Sequence, residues 1–180
     1  MQGDYLFTSS RLGFRNWLEA DKAKMIAISS DPEVMEFFPA VAKLEQTIAF
    51  IERMQIMFEE KGYCYFAVDR LEDGAFIGFI GLCDQEYEAP FTPCVDIGWR
   101  LAAQYWGNGY ATEGAKRCVA YAFAQLGLKK IYAVAPIINA KSIHVMEKIG
   151  MTKAMNFEHS KLLGVDNLRL CACYEISNFS

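Results

Sequence analysis

Gln104-Tyr105-Trp106-Gly107-Asn108-Gly109-Tyr110-Ala111-Thr112-Glu113 is the stretch that decides how this chain folds. It follows a strand-like run, Val95 to Leu101, and opens a helical run from about Tyr110 to Leu126. The apolar stripe of that helix is Ala111, Ala115, Cys118, Val119, Ala122, Phe123 and Leu126, at i, i+3, i+4 spacing. A strand, two glycines one residue apart and an immediate helix make a candidate anion site. Glycines let a backbone approach a phosphate, and the first helical amides attract it. An ordinary strand-to-helix turn is the plain alternative. A dinucleotide fingerprint fits poorly: its third small residue falls on Thr112, and its distal acidic position falls among Lys129, Lys130 and Tyr132. A Walker A loop fails as well, because Ala115 and Lys116 follow Gly114 where Lys and Ser or Thr are required.

The flanking sequence is mixed α and β. Tyr5 to Trp17 reads as an opening strand interrupted by Thr8-Ser9-Ser10-Arg11, and Asp21 to Ile28 as a short helix. Asp31-Pro32-Glu33 offers a cap, a proline and an acid for a further helix start. Leu44 to Glu60 has helical spacing of apolar residues and meets Gly62. Tyr63 to Asp69 and Phe76 to Leu82 read as a hairpin turning at Glu72-Asp73-Gly74. Asp84 to Pro93 is a polar, acidic loop. Ile131 to Ala135 is a strand, Ser142 to Ile149 a helix ending at Gly150, and Leu168 to Ile176 a last strand. Hairpins come early and a β-α-β-α-β half comes late. Neither repeats nor linkers break the chain, so residues 1–180 are expected to form one domain.

Composition limits the possible functions. With 180 residues, 53% of them hydrophobic, the chain can fill a core and is not globally disordered. A formal charge of −4 argues against binding nucleic acid or an anionic membrane by bulk charge. The longest apolar run, Ala75 to Cys83, is half the length of a membrane span. Met1-Gln2-Gly3-Asp4 begins no secretory signal, which leads to an expected cytoplasmic location. The six cysteines form no C-x-x-C pair, and His144 and His159 have no ligand spacing, so reduced thiols and no metal are expected.

The central loop resembles the coenzyme A pyrophosphate loop of the GNAT superfamily of N-acetyltransferases. The likeness extends over nearly the whole chain. Thr8-Ser9-Ser10-Arg11-Leu12 with Asp21 resembles the opening of the ribosomal-protein N-terminal acetyltransferase-like branch, and Asp96-Ile97-Gly98-Trp99 its fourth strand. Asn139-Ala140-Lys141-Ser142 with Val145 to Met151 resembles its last helix. Phe157-Glu158-His159 with Arg169 and Tyr174 resembles its C-terminal hairpin. The resemblance implies an α+β fold with a mixed, mostly antiparallel sheet flanked by helices. That sheet would splay between its fourth and fifth strands, Val95–Leu101 and Ile131–Ala135.

The resemblance also implies an activity: transfer of acetyl from acetyl-CoA, the co-substrate, to a primary amine by direct attack in a ternary complex. The acceptor would be a small-molecule amine or a peptide N-terminus, and a homodimer stays open. Backbone amides from Tyr105 to Ala111, with Gln104, Gly107, Asn108, Gly109 and Tyr110 among the loop residues, would hold the pyrophosphate. The strand edge at Trp99 and Leu101 would pair with the cofactor arm, and Asn139 would touch it. Ser142 is the candidate to protonate or orient the leaving sulfur, with a helix N-cap as its plain role. Many relatives place a tyrosine where this chain has Met146, so a catalytically weak coenzyme-A-binding regulatory module is the alternative. Asp96, Glu86, Glu88 and Glu158 are candidate bases, each with an ordinary role as a solvated or paired acid. The Asp84 to Glu88 acids hint at a cationic acceptor, and Trp17, Phe37, Phe38, Trp99 and Tyr105 are candidate pocket walls.

Overall fold

The computed structural model describes residues 4–178. Strands β1 (Phe7–Thr8) and β2 (Leu12–Arg15) precede helices α1 (Asp21–Ser29) and α2 (Leu44–Lys61). Strands β3 (Tyr65–Arg70), β4 (Ala75–Gln85) and β5 (Cys94–Leu101) follow. A 3-10 turn at Ala103–Tyr105 leads to α3 (Tyr110–Ala124). Then come β6 (Lys130–Pro136), α4 (Ala140–Lys148), β7 (Thr152–Glu158) and β8 (Leu170–Ser177). The eight strands form one sheet in the order β1-β2-β3-β4-β5-β6-β8-β7. Every neighbouring pair is antiparallel except β5 and β6.

That exception creates the cleft. β4 and β5 pair along their length, from Gln85 opposite Cys94 to Gly78 opposite Leu101. β5 and β6 share one register pair, Asp96 with Tyr132. Beyond it the two strands part, leaving β5 from Ile97 to Leu101 paired with a strand on its β4 side only. The expected splay is present, between these two strands.

Strand alternation assigns the side chains of β5 to two faces. Ile97, Trp99 and Leu101 face α3, as does Ile80, whose Cδ1 would lie 2.3 Å from a Cβ added at Gly114 of α3. Asp96, Gly98 and Arg100 face the other way, toward α1 and α2. On that side Phe50 of α2 and Phe79 of β4 lie 5.2 Å apart, and Phe79 stacks on Tyr65 at 5.0 Å. Gly98 is required by this arrangement, since a Cβ there would meet the Tyr65 ring at 3.0 Å.

Some local expectations change. Tyr5 to Trp17 is a hairpin, with the polar interruption as its turn. Asp31-Pro32-Glu33 starts no helix: Asp31 accepts from the Glu33 amide at 2.9 Å, and one turn closes from Met35 to Asp31. The cap and proline signals are real, but the apolar residues after them, Val34 and Met35, bury without a continuing stripe. β4 runs on to Gln85, so the acidic loop begins later than its composition suggests. β7 is not legible from apolar alternation, being exposed over much of its length, and only the resemblance to a C-terminal hairpin at Phe157-Glu158-His159 points to it.

Candidate active site

The glycine loop is braced by its own residues. The amides of Tyr105 and Trp106 bond to the carbonyls of Ala102 and Ala103. The expectation that amides from Tyr105 onward would hold a pyrophosphate is therefore narrowed, because these two are already used. The Asn108 side chain donates to the carbonyls of Tyr105 and Trp106 and serves as a brace. Gly107 and Gly109 have φ of 76° and 78°, a region that side chains strain to adopt. Around Gly109 there is room, its nearest neighbour being Arg11 at 3.7 Å, so conformation, not space, demands the glycine. The amides of Gly107 to Thr112 have no backbone or side-chain acceptor among the described residues, and they precede the first bond of α3, Glu113 to Gly109. Glu113 ties this end of the helix to the first hairpin, accepting from Ser9, from the Arg11 amide and from the Arg11 guanidinium. Gln104 is exposed, Tyr105 lies beneath the Arg70 guanidinium, and Trp106 bonds the Leu101 carbonyl at 2.9 Å.

α4 faces this loop across the cleft. Lys141 of its first turn lies 4.6 Å from the Trp106 ring. The residue that caps α4 is Asn139, whose Oδ1 accepts from the Ser142 amide at 3.1 Å. Ser142 thus sits inside the first turn rather than at the cap. Its hydroxyl has no hydrogen-bond partner among the described residues. Met146 is buried in the core and offers no donor.

On the opposite side of β5, Asp96 lies at the splay point. Its Oδ1 accepts from the Tyr65 hydroxyl at 2.6 Å, and Gln85 donates to that hydroxyl at 3.2 Å. Burial pushes the Asp96 carboxyl up to about 7, although the hydrogen bonds from Tyr65 and Gln85 pull the other way. Neither Tyr65 nor Gln85 was legible as a site residue; a tyrosine in an aromatic strand reads as core. Arg100 was missed too. It was hidden in an alternation of apolar and polar residues that reads as a strand with one wet face. Here that face packs toward α1 and α2, with Arg100 against Ser29, Phe38 and Phe79.

Other candidates lie elsewhere. Glu158 ends the outer strand β7, pairs with Arg169 at 3.4 Å, and is separated from β5 by β8 and β6. The sheet does not bring it to Asp96. His159 stacks on Tyr87 at 4.2 Å and accepts from the Lys161 amide through Nδ1, and His144 is exposed. Glu86 and Glu88 are exposed in the β4–β5 loop and line a shallow depression of about 450 Å³ with Tyr87 and Thr92. Trp17 is core, bonding the Tyr65 carbonyl, and Trp99 is on the face of β5 opposite Asp96. Burial lifts the thiols of Cys83 and Cys94 to about 12, which leaves them poor nucleophiles.

An opened parallel pair beside unpaired helix-terminal amides is a distinctive arrangement, and it agrees with what known proteins reveal. The family profile for the acetyltransferase (GNAT) domain matches residues 11–152. This chain belongs to the GNAT acetyltransferase family. It is 33% identical over 147 residues to the Bacillus subtilis protein YkkB, covering 79% of this chain and 83% of that one. Among solved structures, a GNAT-family acetyltransferase from Bacillus anthracis is 26% identical with a TM-score of 0.76, covering 94% and 96% of the two chains. The Vibrio cholerae spermidine N-acetyltransferase, solved with CoA and spermine, shares the fold at 19% identity and a TM-score of 0.73, covering 93% and 96%. In this acetyltransferase, no helix among the described residues is long and apolar enough to cross a membrane.

Proposed function

We propose that this acetyltransferase moves the acetyl group of acetyl-CoA to a primary amine in a ternary complex, with Asp96 as the general base. The observation that carries this reading is the carboxyl of Asp96, raised to about 7 at the point where β5 and β6 part. A base with that affinity for protons is half ionised near neutral pH and still accepts a proton readily.

Acetyl-CoA supplies an activated acyl group as a thioester. The residues available fit such a co-substrate. The amides of Gly107 to Thr112 and the positive end of α3 suit a diphosphate. The one-sided edge of β5 near Trp99 and Leu101 suits an amide-bearing arm, as an added strand would. Asp96 takes the proton of the incoming ammonium, and Tyr65 holds the carboxylate in place by donating to it. The amine nitrogen then forms the new C–N bond as the C–S bond breaks. Ser142, whose hydroxyl is not committed to a cap, donates toward the departing thiolate. Asn139 fixes the turn that presents it. Holding both reactants in one cleft supplies much of the acceleration. Glu158 has no part in this proton path.

Release of free thiol from acetyl-CoA with a panel of amines and peptide N-termini tests the reading. Transfer should appear with a rate that rises with pH through about 7, following ionisation of Asp96. In calorimetry, Gly109→Val should abolish binding of CoA, because the left-handed loop conformation is lost. Tight CoA binding by the natural chain with no acetylation of any acceptor would instead identify a regulatory module.

A further inference from the structure

Arg100 is a half-buried cation with no anion beside it. Its Nη1 donates to the Ser29 hydroxyl at 3.2 Å. The guanidinium lies between two aromatic rings, 4.5 Å from Phe38 and 5.4 Å from Phe79. Its Nε is shielded from water and has no acceptor, and no carboxylate among the described residues lies within ion-pair distance. Tyr65 is the titratable group that acts on it, and burial pulls its pKa down to about 10. It remains charged near neutral pH. A charge buried without a partner is costly, and natural folds rarely retain one without use. Carboxylates are not scarce in this chain, which has 22 acidic residues against 18 basic ones.

We propose that Arg100 receives a carboxylate carried by the acceptor, so that the natural substrate is a small aminocarboxylate with its amine at Asp96 and its acid at Arg100. This rests on the acetyl-transfer reading above and adds the class of acceptor. Asp96 and Arg100 lie four residues apart on one strand, both on the α1–α2 face. At about 3.3 Å per residue their Cα atoms are roughly 13 Å apart, before the reach of either side chain. Between them the Tyr65 ring packs directly over Gly98 and stacks on Phe79, so the two rings form the apolar floor over which the ligand would lie. A zwitterion fits such a site by its two ends. A guanidinium edge, Nε with Nη2, matches a carboxylate with two parallel hydrogen bonds. Phe38, itself 41% exposed, lies against the guanidinium face on a segment without helix or strand and is the side chain free to shift for a ligand. The same feature argues against a polyamine, which would bring a second cation to an unneutralised one.

The test uses matched amines: ω-aminocarboxylates of three to eight carbons, their carboxamides, and spermidine. Thiol release is measured with the natural chain, Arg100→Met and Arg100→Lys. The natural chain should prefer a carboxylate of suitable length over its carboxamide by about 10- to 100-fold in kcat/KM, the effect of a hydrogen bond to a charged group. In Arg100→Met that preference should collapse toward one, and Arg100→Lys should keep part of it. Equal turnover of carboxylates and carboxamides by the natural chain, or a preference for spermidine over both, overturns the assignment while leaving acetyl transfer intact. So does an equal loss for both members of a pair in Arg100→Met, which would mark Arg100 as packing alone. No transfer to any amine would overturn the acetyl-transfer reading and this one with it. The comparison in the natural chain needs no variant, so a misfolded Arg100→Met does not spoil the test.

Discussion

Arg15 and Arg100 lie on the same face of one sheet, three strands apart in sheet order, and have opposite surroundings. Arg15 grips two carboxylates: Asp69 at 2.7 Å through both Nε and Nη2, and Asp21 at 2.6 and 2.9 Å through Nη1 and Nη2. Although burial opposes the charge, the hydrogen bonds that Arg15 donates to these acids raise its pKa above the ordinary value. Asp21 also accepts from the Leu18 amide, so this cluster fixes where α1 begins. Arg100, with one serine and two rings, sits on the negative side of the same balance. The difference separates a charge used to hold the fold from one left available. The first is complete within the chain, and the second needs something from outside.

The largest effect should come from breaking the complete cluster. Arg15→Met leaves two buried carboxylates facing each other and should cost about 3–5 kcal/mol, whereas Arg100→Met removes an unpaired charge and should cost less than about 1 kcal/mol. Urea unfolding of both variants reads this directly. Equal losses would erase the distinction between the two arginines.

A second, smaller effect sharpens it at Asp96, the acid on the Arg100 strand that is also left without a cation. Asp96→Asn should lower kcat/KM by about 100- to 1,000-fold. Its stability effect has the opposite sign. In the folded chain Asp96 keeps its proton to about 7, while an unfolded aspartate loses it near 4. Between those values the folded state binds more protons, so stability falls as pH rises and levels off above 7. Asp96→Asn should remove that fall and be more stable than the natural chain at pH 8. Denaturation at pH 5 and pH 8 reads the difference, and parallel behaviour of the two proteins would mean that Asp96 is not desolvated.

The smallest effect transfers the comparison to α4, where Asn139 is engaged and Ser142 is not. Asn139→Ala should cost about 1 kcal/mol of stability through the lost cap. Ser142→Ala should change stability by a few tenths, yet slow turnover by about 10-fold with little change in CoA affinity. A Ser142→Ala enzyme with normal turnover would pass the thiolate proton to water.

Much of the fold was readable because its signals are local. The stripe of α3, the two glycines before it and the hairpin at Glu72-Asp73-Gly74 each depend on residues a few positions apart. The period of side chains or a single φ decides them. The resemblance to GNAT enzymes rested on the same kind of local pattern, at Gln104 to Glu113 and Asn139 to Met151. The cap of α4 was misplaced by three residues, since Asn139 and Ser142 are both able caps and only the backbone path chooses between them. β7 escaped the apolar pattern, and only the resemblance pointed to it, because an exposed edge strand need not alternate.

The sequence by itself determined that a strand, a glycine loop and an amphipathic helix would make an anion-binding corner. It also put a polar series, Asp96, Gly98 and Arg100, on one side of the strand before that corner. Only the tertiary structure decided what the series faces. The hydrogen bond from Tyr65 to Asp96 spans 31 residues of sequence, and that from Arg100 to Ser29 spans 71. Whether a charge is paired, buried or waiting for a ligand is a sum over every neighbour in space. A guanidinium with two carboxylates and one with none have the same letter in the sequence.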